Sequence, residues 1–220
     1  MSYIKDALVK FFVIIHNLVA NVITNPNYSY GLAIILVTIV IKFILLPLNI
    51  KSMRSTIRMS KIQPEVEKVQ KKYKNDPQRA QQELMKLYKE KGVSPLGGCL
   101  PMLIQWPVLL ALYYVFNNIQ GISGVTFLWI KDLAKPDIIL AVLAGATQYY
   151  AGLIMSPGKD SKQAKTTSTM NLYMSLMMIF ISWKLKSALT LYWVISNLIQ
   201  VGQTILTKKL EEKYTSDSEA

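Results

Sequence analysis

Apolar residues along this chain gather into five runs long enough to cross a bilayer, at 29–50, 98–120, 137–155, 170–185 and 188–207, with polar sequence between them. A helix needs about 20 such residues to span the hydrocarbon core. The fourth run falls short of that and is expected to be tilted or partly buried by its neighbours. Before the first run, residues 1–28 repeat Ile4, Leu8, Phe11, Ile15, Val19 and Val22 at helical spacing, while Asp6, Lys10, Asn17 and Asn21 gather on the other side. That pattern predicts an extracytoplasmic amphipathic helix lying in the outer leaflet, with Asn25-Pro26-Asn27 turning the chain inward. Residues 1–24 show no convincing small-x-small cleavage site, so a cleaved leader is not expected.

The polar block 51–97 has its own order. Ile62, Val66, Val69 and Tyr73 form one stripe, and Ala80, Leu84, Leu87 and Lys91, with Tyr88 beside them, form a second after the Asn75-Asp76-Pro77 break. Two helices joined by so tight a turn should fold back as an antiparallel hairpin. Each stripe is narrow, so the hairpin should be held by a thin seam and move relative to the membrane part.

Composition agrees with a polytopic protein: 51% of the 220 residues are hydrophobic and 17% charged. A formal net charge of +12 would suggest nucleic acid in a soluble chain, but here the cations are segregated. Residues 51–97, 156–169 and 208–220 hold eighteen Lys and Arg, against six in the segments alternating with them. The positive-inside rule then places the N-terminus outside and the C-terminus in the cytoplasm, with the hairpin, the 156–169 loop and the 208–220 tail on the cytoplasmic side and 121–136 outside. Cys99 stands alone, which excludes an internal disulfide.

The remaining cation, Lys42, lies within the first run. An ammonium near mid-membrane costs roughly 3 kcal/mol on insertion scales, so such a residue ordinarily faces a partner or a wet cavity. No Asp or Glu lies within any predicted membrane core. Ile50, at the inner end of the run, is about 12 Å further along the helix axis, beyond the comfortable reach of a lysine of roughly 6 Å. A hydrated cavity is therefore the reading that fits the sequence.

The segment Ser94-Pro-Leu-Gly-Gly-Cys-Leu-Pro-Met-Leu-Ile-Gln-Trp-Pro-Val-Leu-Leu-Ala-Leu-Tyr-Tyr114 closely resembles the second core span of the YidC insertase family, which has relatives in mitochondria and chloroplasts. Thr38 and Lys42 ahead of Pro47, Phe127-Leu-Trp-Ile-Lys-Asp-Leu133, and Leu191-Tyr-Trp-Val-Ile-Ser-Asn197 agree in order, so the resemblance covers roughly 28–206. It implies an all-α integral membrane protein in which five transmembrane helices surround a hydrophilic groove, open to the cytoplasm and closed outward. The implied activity is monomeric insertion of newly made proteins into the bacterial cytoplasmic membrane, alone or beside the Sec translocon. The chain resembles the short form, without a lipobox cysteine or a large extracytoplasmic domain. Two departures stand out. Lys42 occupies a position that is usually Arg, keeping the charge but losing the bidentate fork. Lys184-Leu-Lys-Ser-Ala188 replaces a Pro and Gly turn, so a looser outer turn is expected.

Groove candidates beside Lys42 are Thr38, one turn away, Gln105 and Gln148 on the second and third spans, and Ser196 and Gln200, with Gln203, on the fifth. Each glutamine reads equally as a groove lining or as interhelical hydrogen-bonding glue. Tyr192 and Trp193 read either as an apolar slide for an entering helix or as packing aromatics. Met170, Met174, Met177 and Met178 read first as core filling.

An ion- or proton-coupled transporter is the alternative function, but proton coupling normally uses membrane carboxylates or histidines and the core runs have none. One His and one Cys without triad or metal spacing argue against an enzyme, and no cofactor is expected. Gly158-Lys159 lacks the upstream Gly of a P-loop. Expected partners are nascent membrane proteins, membrane lipids and the ribosome, the last through the basic hairpin, Lys159–Lys165 and Lys208–Lys213. No specific nucleic acid is expected.

Overall fold

The computed structural model describes residues 2–94, 100–155 and 162–219. Cys99, Gly158 and Lys159 lie outside the described residues. Nine helices occupy the described part: α1 (Ser2–Val22), α2 (Pro26–Ile44), α3 (Leu46–Lys61), α4 (Gln63–Lys72), α5 (Pro77–Glu90), α6 (Leu100–Asn118), α7 (Ile138–Met155), α8 (Lys162–Ser182) and α9 (Ser187–Glu219). Three of them, Pro26–Ile44, Ile138–Met155 and the Ser187–Glu211 part of α9, are long and apolar enough to cross a membrane. Together with α6 and α8 they correspond to the five apolar runs. No membrane-spanning strand is needed to satisfy their backbones, because a helix closes every hydrogen bond within itself.

Helix boundaries follow local chemistry. Asn25 caps α2, its side chain accepting from the Asn27 amide, and Pro26 follows at the first helical position where a missing N–H costs nothing. The first apolar run does not continue as one helix to residue 50 as expected. It breaks at Leu45, because Pro47 cannot donate to the helical ladder and its ring clashes with the preceding turn. A second break at Ile62, ahead of Pro64, separates α3 from α4, where the first predicted stripe begins. The predicted hairpin is therefore α4 and α5, with Asp76 capping α5 by accepting from the Arg79 amide. At the other end Gly92, at φ 61°, closes a Schellman motif: its amide donates to Lys89 O and that of Val93 to Tyr88 O. Lys91, expected within the second apolar stripe, instead reaches across to Glu65 at 2.7 Å.

The hairpin has its own small core, Ile62, Val66 and Val93 with Met59, Leu84, Leu87 and Tyr88 against them, separate from the main one. The main core joins α1, α2, α6, α7 and α9, with Met178 of α8, to the loop between α6 and α7. Small residues on α7 let its neighbours approach closely. Gly145 sits against Ser175 O and Ile179 of α8, and Gly152 against Asn171, whose amide donates to Tyr149 O at 2.9 Å.

The N-terminal helix is more deeply engaged than the amphipathic reading implied. Phe12, absent from the predicted stripe, is 1% exposed and meets Phe116 of α6 edge to face, whereas Val22, inside the stripe, is 84% exposed. His16 approaches Ser29 Oγ at 3.2 Å and lies over Tyr30 of α2. Val13, Ile14 and Leu18 remain exposed, so α1 offers an apolar surface on the side away from the bundle as well.

The loop between α6 and α7 explains its own motif. Phe127 and Ile130 exchange backbone hydrogen bonds of 2.9 Å across a tight turn, which puts Leu128 at φ 53°. Phe127, Ile130 and Leu133 point inward, while Leu128, Trp129 and Lys131 face out. Asn27 accepts from Thr126 N, and Leu133 O and Lys135 O accept from the Ala188 and Ser187 amides, so this loop ties together the starts of α2 and α9. The turn between α8 and α9 is tight despite lacking Pro and Gly, contrary to the looser turn expected. Successive backbone bonds close it, and Lys186 donates to Phe116 O at the end of α6.

Candidate functional site

Lys42 occupies the last turn of α2 and is 6% exposed. Its Nζ donates to Gln200 Oε1 of α9 at 3.2 Å, and among the described residues no carboxylate pairs with it. An amide oxygen solvates an ammonium without neutralising it, so the positive charge stays available to an arriving anion.

Around this pair α2 and α9 build a polar seam. One turn before Lys42, Thr38 is fully buried, but its hydroxyl donates to Ile34 O at 2.7 Å, so that donor is used within its own helix. On α9, Tyr192, Ser196 and Gln200 repeat every four residues and so share a face. Tyr192 and Ser196 are buried, and Tyr192 OH accepts from Gln105 Nε2 of α6 at 2.7 Å. Six of the eight residues singled out from the sequence thus line one seam: Lys42, Thr38, Gln105, Tyr192, Ser196 and Gln200.

The other two lie elsewhere. Trp193 is one residue, and so about 100° of helix rotation, from Tyr192, and its indole N–H donates to Gln148 Oε1 of α7 at 3.2 Å. Asn197 donates to Thr147 Oγ1 one turn on. This ladder joins α7 to α9, which favours the interhelical-glue reading of Gln148 over the groove reading.

The seam extends beyond what the sequence suggested. Asn49 and Ser52 of α3 and Thr204 and Thr207 of α9 are all buried, and the Gln203 Oε1 atom is buried without a hydrogen-bond partner. Thr207 lies 3.7 Å from the Met53 sulfur and donates to Gln203 O. The available signal was Asn49, seven residues after Lys42, but the break at Leu45 hides that register. Further along, Arg54 and Arg58 of α3 approach Glu211 of α9 at 3.4 and 3.7 Å through their Nε atoms, and Lys208 donates to Ile154 O near the end of α7. Among the described residues no His, Cys, Asp and Glu cluster could hold a metal ion.

Comparison with known proteins places this geometry. The family described as 60Kd inner membrane protein matches residues 21–215. The membrane protein insertase YidC of Clostridium tetani is 71% identical over 220 residues, covering the whole of both chains. That of Clostridium acetobutylicum is 46% identical, over 98% of this chain and 90% of the relative. A crystal structure of active YidC insertase superposes with a TM-score of 0.72 at 32% identity, covering 92% of this chain, which spans 45% of that longer one.

Proposed function

This chain belongs to the 60Kd inner membrane protein family of YidC membrane protein insertases, and on that premise we propose that it lowers the barrier for polar segments of nascent proteins by receiving them at the Lys42 seam. It is a membrane-integrated protein. A client helix of about 20 apolar residues gains ample free energy on entering lipid, so the obstacle is its polar flank. A cation held inside the bundle, with polar groups leading to it along α3 and α9, shortens the dehydrated path that flank must cross.

The observation that carries this reading is Lys42 itself, buried and solvated by the neutral Gln200 amide rather than by a carboxylate. A carboxylate would already neutralise the ammonium and leave little attraction for a client. A glutamine holds the resting charge in place and can be exchanged, because a client carboxylate brings a full negative charge where the amide offers a dipole. Lys42 then acts as a transient receptor and performs no covalent step. Orientation follows the charge segregation, with α4 and α5 in the cytoplasm and the 121–136 loop outside. The ribosome, reached through the basic hairpin, and the Sec translocon are the further partners in this reading.

The deciding experiment uses vesicles holding this protein alone and a single-span client with an acidic translocated tail. Protease protection of the tail should be lost with Lys42→Ala and Lys42→Glu and retained with Lys42→Arg. Ion flux without tail protection would instead support a transporter.

A further inference from the structure

A cavity of about 420 Å³ opens where α3 passes the turn that follows α5, lined by Pro47, Ile50, Lys51, Arg54, Ser55, Arg58, Gly92, Val93 and Ser94. Three cations recur along this side of α3, at 51, 54 and 58. Glu211 meets both guanidiniums, yet one carboxylate set against Lys51, Arg54 and Arg58 leaves two positive charges uncompensated among these four side chains. The α5 side of the cavity does not cancel them. The carbonyls of Leu87, Tyr88 and Lys89 are already taken by the amides of Lys91, Val93 and Gly92, which blunts the negative end of that helix.

We infer that this cavity is a phosphate-binding site, filled by either an anionic lipid headgroup or free phosphate. Arginine guanidiniums match phosphate oxygens in geometry as well as charge, Lys51 adds a point charge, and Ser55 and Ser94 add hydroxyl donors. The volume is many times the ~30 Å³ share of one water, so an ester-linked phosphate fits with its first substituents. Pro47 and Ile50 give one wall the apolar character that the glycerol part of a lipid would require. Open space beside Gly92 leaves the entrance clear.

Lys51 is exposed and takes part in no ion pair among the described residues, so Lys51→Gln tests the site without loosening the fold. The full chain would be reconstituted in phosphatidylcholine nanodiscs with and without phosphatidylglycerol, then delipidated in mild detergent and weighed by native mass spectrometry. Phosphatidylglycerol should be retained over phosphatidylcholine, and Lys51→Gln should weaken retention about fivefold, the effect of one cation near an anionic headgroup. Lys68→Gln, an equal charge change on the exposed face of α4, should leave it unaltered. Glu211→Gln should raise retention by releasing both guanidiniums. Displacement of the lipid by millimolar inorganic phosphate assigns the site to free anions, and resistance assigns it to the lipid. Equal losses from Lys51→Gln and Lys68→Gln, no preference for phosphatidylglycerol, or a loss from Glu211→Gln would overturn the proposal.

Discussion

Replacing Gln200 by Leu removes the one hydrogen-bond acceptor that Lys42 Nζ has among the described residues. A hydrogen bond to a charged group contributes about 1.5–3 kcal/mol net, and Lys42, buried in the last turn of its span, would lose that partner. Gln200→Leu should therefore lower stability by about 1.5–3 kcal/mol. Lys42→Leu should cost less, because an unpaired amide is cheaper than an unpaired charge. With both changed, an apolar pair meets an apolar pair, and such replacement is often nearly neutral. The double variant should recover most of the loss. A thermodynamic cycle by unfolding in mixed micelles should then give a coupling of at least about 1.5 kcal/mol. The same double variant separates folding from activity: stable in the membrane, it should fail to translocate an acidic client tail. Additivity of the two changes within about 0.5 kcal/mol would show that the ammonium finds water as readily as Gln200, and would refute the exchange of partners on which the mechanism rests.

A methyl added at Gly31 would fall within the Phe127 ring, so Gly31→Ala should destabilise the fold by about 1–3 kcal/mol, and Phe127→Ala in the same chain should return part of it in thermal unfolding. Burial works against the charge of Asp132, but the Ala134 and Gly124 amides and Lys135 prevail and hold its carboxyl below the ordinary value of 3.8. Because folding lowers this pKa, the stabilisation is complete above that ordinary value and is lost as pH falls through the depressed folded one. Asp132→Asn should flatten this acid limb in melting temperatures recorded against pH. Deleting residues 62–91 removes a hairpin whose core is separate from the main one, and should lower insertion more than it lowers the amount of folded protein in the membrane. Equal losses would make the hairpin structural. Ribosome co-sedimentation through the basic hairpin should weaken steeply as salt rises, and binding indifferent to salt would count against an electrostatic contact.

Much of the fold is written locally. The apolar runs, the break at Asn75-Asp76-Pro77, the segregation of cations between alternate polar segments and the isolation of Lys42 all follow from transfer free energies and turn chemistry, which accumulate along the chain whatever the neighbours are. Hence the sequence predicts apolar runs and a hairpin, although the break at Leu45 ends the first run's helix early, and the resemblance of 94–114 supplied a function for them. What the sequence could not settle was how each helix is rotated about its axis against the others. Gln105 and Gln148 look alike as lone glutamines in apolar spans, yet one reaches Tyr192 and the other Trp193, on different faces of α9. Lys42 finds Gln200 across 158 residues of chain, and Phe12, outside the expected stripe, seats on Phe116 while Leu8, Phe11, Ile15 and Val19 of that stripe pack partly buried beside it. Those choices depend on interhelical packing, where glycines such as Gly145 and Gly152 set how closely two backbones approach. Spacing fixes which residues share a face, and only the assembled bundle decides what that face meets.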